Sequence, residues 1–184
     1  MTKIFYGTAA LVMCCVFYLI WWVLAFRPAG KVGVTWPWLI FAAVFGFAGV
    51  IVSVGGINTD VPGHKMLGIW PLIVGICAYF ALLFITSHFM HRMVTTELVL
   101  IVGWTALQFM VLDTAQCLAS SGGISRQTAV AFMVLALIVA VLSLIAYLVY
   151  YKLPVVKGYI AGMLPLIMIG VLMAVELVCF RPAK

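Results

Sequence analysis

The chain has 184 residues, of which 67% are hydrophobic and only 8% charged, with a formal net charge of +6. So few polar side chains cannot coat a water-soluble domain of this size, which leaves a lipid bilayer as the medium. The positive excess reads as anchoring at the membrane surfaces, and no nucleic-acid partner is implied.

A bilayer core about 30 Å thick is crossed by roughly 20 helical residues. Apolar runs of that length occupy 5–26, 36–57, 66–87, 96–118, 128–150 and 158–180. They are continuously apolar, whereas the strands of a membrane barrel alternate apolar and polar residues. The sequence therefore predicts an all-α integral membrane protein, a six-transmembrane-helix bundle forming a single domain over 1–184.

The first span is too long for the apolar stretch of a signal peptide and lacks a small-residue cleavage site before Arg27, so it reads as a retained helix. Trp21 and Trp22 close it, and Trp36 and Trp38 open the second span. Both pairs are expected at one membrane interface, on either side of Arg27, Pro28, Gly30 and Lys31. Within the second span Ala42, Gly46, Gly49 and Ser53 advance by 4, 3 and 4 residues, which puts small side chains on one stripe.

The third span opens with Gly68, Pro71, Leu72 and Ile73, and the same G-x-x-P-L-I string recurs 94 positions later at Gly162, Pro165, Leu166 and Ile167. That offset also carries the stripe of the second span onto Ala136, Ala140, Ser143 and Tyr147 in the fifth, where it stays small until its last member. Halves of three helices enter the membrane in opposite senses, so a real repeat would be a 3+3 inverted repeat of the kind many transporters use. The competing account is chance matching in a chain built from few residue types. Both stripes are assigned to helix packing, inside the bundle or between copies in a homo-oligomer, because small residues let helices approach closely in lipid.

His88, Met90, His91 and Met93 cluster with Arg92 at the joint between the third and fourth spans. The cluster is expected at the membrane surface, with His88, His91 and Arg92 as a pH-sensing or headgroup contact, since imidazole titrates near neutrality. It is not assigned a metal. The fourth span carries the most polar face of the chain: Glu97, Trp104 and Gln108 advance by 7 and 4 residues. Glu97 also suits a plain first-turn role, where a carboxylate favours the helix dipole after Thr95 and Thr96. In the sixth span Glu176 lies near the helix end on a stripe with Gly162, Pro165, Ile169 and Met173. Two roles stay open for it: snorkelling to the interface near Arg181, or lining a conduit through the bundle.

Cys14, Cys15, Cys77, Cys117 and Cys179 all fall within spans without a CxxC pair and read as small apolar fillers. No cofactor is implied. Lys and Arg divide five to each side, so their distribution sets no orientation. Both termini are assigned to the cytoplasmic face of the plasma membrane, because a short start bearing Lys3 is easier to retain than to translocate.

Signatures of serine hydrolases, zinc proteases and phosphate-binding loops are missing from the sequence. The functional expectation is a channel or secondary transporter for a small solute or ion, not an enzyme. Its path would follow Glu97, Trp104 and Gln108, with Glu176 contributing. Two alternatives remain: a membrane-embedded enzyme acting on a lipid or lipophilic substrate at the His88–Glu97 joint, and a noncatalytic subunit of a larger membrane complex.

Overall fold

The computed structural model describes residues 2–26, 34–60, 70–88, 125–150 and 152–179. Among them are five helices and no strand: α1 (Thr2–Ala25), α2 (Trp36–Asp60), α3 (Trp70–His88), α4 (Arg126–Tyr150) and α5 (Val155–Cys179). They correspond to the first, second, third, fifth and sixth expected spans. The fourth expected span, 96–118, lies outside the described residues. α1, α2, α4 and α5 are each long and apolar enough to cross a membrane, as an integral membrane protein requires. α3 is shorter, at 19 residues.

The helix ends follow local chemistry. The Trp38 N–H donates to the Thr35 carbonyl at 3.2 Å to open α2, and Pro37 in that first turn forfeits only a donor that would have had no intrahelical partner. Ser125 accepts from the Ala129 N–H at 3.1 Å at the start of α4, and Pro154 accepts from the Gly158 N–H at 2.8 Å at the start of α5. The turn between α4 and α5 is correspondingly tight, with the Lys152 N–H donating to the Val149 carbonyl at 2.9 Å.

α1 is the hub, packing on α2 along one side and on α5 along another, while α4 packs on α5. The α1–α2 contact is antiparallel, with Gly7 against Ser53, Leu11 against Gly49, and Phe17 against Phe41 and Phe45 at ring separations of 5.5 and 5.3 Å. It is also very close. A β-carbon added at Gly7 would overlap the Ser53 hydroxyl and come within 2.7 Å of the Ser53 backbone nitrogen. One added at Gly49 would lie 2.7 Å from Leu11 Cδ2 and 3.1 Å from the Gly7 carbonyl oxygen. Lipid supplies no hydrophobic force between helices, so backbone approach and dispersion contact hold such a pair together.

The α1–α5 contact is antiparallel as well. Trp22 packs over Gly162 and Cys15 over Gly170. Two hydrogen bonds cross it: the Trp22 indole N–H donates to the Tyr159 carbonyl at 3.4 Å, and the Tyr159 hydroxyl donates to the Val23 carbonyl at 3.3 Å. Val23 lies in the last turn of α1, where carbonyls lack intrahelical donors, so the tyrosine acts as a side-chain cap. Trp22 is thus buried and turned inward, rather than standing in the aromatic belt expected for it. α3 contributes Tyr79 and Leu82 to the margin of the same core.

Two findings bear on the internal repeat. Pro165 lies eleven residues into α5, so the G-x-x-P-L-I string does not open the sixth span as the sequence suggests. There Pro165 removes the N–H that would have bonded the Ala161 carbonyl. The side-by-side packing of α4 on α5 also has no equivalent between the described residues of α2 and α3, which the offset of 94 pairs with them.

Gly49→Ile is expected to force α1 and α2 apart and cost about 1–3 kcal/mol, the usual range for overpacking. Gly55→Ala meets no atom within 4 Å and is expected to be neutral or slightly stabilising. Reversible unfolding in mixed micelles reads both. Packing direction gives a second expectation: a membrane-impermeant maleimide should reach Lys3→Cys and Ser125→Cys from one face of sealed vesicles, and Val34→Cys and Lys152→Cys from the other, in a cysteine-free background.

Candidate functional site

Size and polarity are distributed inside-out relative to a soluble protein. On α2 the bulky Phe41, Val44, Phe47 and Ile51 face outward, while Ala42, Gly46, Gly49 and Ser53 are buried. On α4 the residues Val130, Val134, Leu137 and Val141 are exposed, and Ala136, Ala140, Ser143 and Tyr147 are buried. All eight members of the two small stripes therefore point into the protein. Tyr147, which looked like the break in the second stripe, is as buried as its neighbours and belongs to the main core cluster.

The buried polar or charged side chains among the described residues are Thr8, Ser53, Ser143 and Glu176. Glu176 is the only one of the four with an ionisable group, and it retains just 2% of its surface. Such burial sets the side chain among protein atoms. Helical side chains lean toward the N-terminus of their helix, so from the last turn of α5 this side chain leans back along the helix. Glu176 stands three residues before Cys179, about 4.5 Å along the axis at about 1.5 Å per residue. Its carboxyl is therefore buried inside the bundle, about one turn from the end of α5.

Register relates the start of α1 to the end of α5. Trp22 meets Gly162 and Cys15 meets Gly170. Thr8 stands seven residues before Cys15, which is two turns earlier on the same face of α1. Continued for those two turns, the antiparallel register sets Thr8 beside the last turn of α5, near residues 177–178. Thr8 is 4% exposed. At this level α1 also meets α2 through Gly7 and Ser53. Ser53 is fully buried, and its hydroxyl has no hydrogen-bond partner among the described residues. Thr8, Ser53 and Glu176 are thus each buried toward the end of the bundle where α1 begins and α2 and α5 end.

The remaining expected site residues separate from these three or fall outside the description. His88 ends α3 exposed, its ring stacked on Phe84 at 5.3 Å and 10°. Glu97, Trp104 and Gln108, and likewise His91 and Arg92, lie outside the described residues. Among the described residues no three His, Cys, Asp or Glu side chains converge as a metal centre would need. Ser143 is buried on α4, and its hydroxyl also lacks a partner among the described residues.

Sequence reasoning missed Thr8. Its signal was available in the seven-residue spacing of Thr8, Cys15 and Trp22, but that spacing acquires meaning only once α5 is laid against it. No protein-family model, no curated protein and no solved structure matches this chain.

Proposed function

We propose that the protein is a channel or secondary transporter for a small solute or ion. The burial of Glu176 inside a bundle of membrane-length helices carries this reading. A carboxyl within the hydrocarbon layer is costly to keep, and such groups mark substrate paths, ion sites and proton relays. If Glu176 only marked the membrane boundary, it would point at the headgroups. Instead it is buried inside the bundle.

The reading includes six spans. Antiparallel packing puts the end of α2 and the start of α4 on the same side of the bundle. An α3 that crosses the membrane then requires a return crossing within residues 89–124, the stretch that holds the fourth apolar run. Glu97, Trp104 and Gln108 on that run supply the rest of the polar wall. The proposal does not depend on an inverted repeat, nor on whether the protein acts alone or as a homo-oligomer in the plasma membrane.

Flux in proteoliposomes tests it. Wild-type protein is expected to move a proton, an alkali cation or a small neutral solute across the vesicle membrane, and Glu176→Gln to lower that flux by about two orders of magnitude while leaving helix content unchanged. Full flux in the Gln variant, or none in the wild type with any of these solutes, sinks the reading. Lipid turnover lost in His88→Ala would favour the enzyme alternative.

A further inference from the structure

α5 meets α1 in two different ways on the two sides of Pro165. Before the proline, Trp22 presses on Gly162 so closely that a β-carbon there would lie 2.6 Å from its ring, and the hydrogen bonds of Trp22 and Tyr159 bridge the helices. After it the approach is ordinary: a β-carbon at Gly170 would lie 3.4 Å from the Cys15 β-carbon, in plain van der Waals contact. Between the two contacts stands the missing rung at Pro165. We propose that residues 166–179 form a gate that swings about Pro165 and admits water to Glu176 from the side of the membrane where α1 begins. This rests on the transport reading and supplies its moving part.

Leverage is the first argument. Glu176 stands eleven residues beyond Pro165, on an arm of about 16 Å at about 1.5 Å per residue. Proline kinks commonly exceed about 20°, yet a bend of only about 5° carries Glu176 sideways by about 1.4 Å. A radial gap of about 0.5–1 Å already forfeits a quarter to a half of a dispersion contact, so the seal around the carboxyl opens. The same bend moves Gly170, five residues from the pivot, by about 0.7 Å. The gate therefore opens at its tip while its base keeps its contact.

The residues that must yield suit this movement. Leu166 and Ile169 are buried close to the pivot, where displacement is small. Met173 belongs to the core cluster with Leu11, and its unbranched side chain refills altered space at low cost. Glu176 is 2% exposed, so the gate is shut in this structure, while Cys179 at the tip is exposed. An element that closes over a buried carboxyl from one face of the membrane performs one half of an alternating-access cycle.

The Cys15–Gly170 contact supplies a lock, because a disulfide joins β-carbons about 3.5–4.5 Å apart. Gly170→Cys is made with Cys15 kept and the other four cysteines replaced by serine, and bond formation is followed as loss of free thiol. In proteoliposomes, oxidation is expected to lower flux about tenfold or more, and reduction to restore it. The same protein carrying Cys15→Ala should ignore the oxidant. Independently, Glu176→Cys as the sole cysteine should react with a membrane-impermeant maleimide from the side where α1 begins, and Pro165→Ala, which restores the rung, should slow that reaction about tenfold. Two results overturn the gate: full flux with the disulfide formed, or equal labelling with and without Pro165. Should the disulfide not form, labelling alone decides. Full flux in the locked protein would remove the gate and leave the transport reading standing. Labelling slowed by Pro165→Ala in a protein that moves no solute would uphold the gate and remove that reading.

Discussion

The close approach of α1 and α2 at Gly7, Leu11, Gly49 and Ser53 is the constraint on which the rest of the bundle depends. In water two helices are driven together by the surface they remove from solvent. In lipid that drive is absent, and contact must be won through proximity. Glycine provides it by letting one backbone lie against another. With α2 fixed on one side of α1, the neighbouring face of α1 becomes available to α5, and Gly162 and Gly170 repeat the same device under Trp22 and Cys15. α4 then follows α5 through a tight turn.

Close packing of this kind decides which polar groups come together. A helix with a bulky inner face would hold its partners far enough away for lipid or water to separate Thr8, Ser53 and Glu176. Small residues remove that gap, and all three are buried inside the bundle. The Trp22–Tyr159 pair works at the opposite end of the α1–α5 contact, where two hydrogen bonds hold the pair of helices in register. The register of α1 on α5 is therefore pinned at that end.

Much of the architecture was legible in the sequence because it depends on composition within single spans. Continuous apolar runs located all five described helices to within a few residues, and the small stripes of α2 and α4 were visible as spacing alone. What was not legible depends on neighbours. Trp22 resembles a belt residue until Gly162 is set beneath it, and Pro165 resembles a first-turn proline until α5 is seen to start at Val155. Glu176 stood between two roles because one helix wheel cannot say whether a face meets lipid or protein. Thr8, a lone hydroxyl among apolar residues, gave no local reason to be chosen. The polar face built on Glu97, Trp104 and Gln108 lies outside the described residues and keeps its standing as an expectation.

Pro165 divides α5 into two unequal tasks. The segment before it carries Tyr159 and Gly162, which are clasped by the end of α1, and the segment after it carries Met173 and Glu176. A missing rung in a helix is a point of low bending stiffness, so the two segments are coupled less tightly than a continuous ladder would couple them. The acidic end of α5 can tilt by a few degrees while the clasped end stays seated. A rod of uniform stiffness would have to break its clasp to make the same movement.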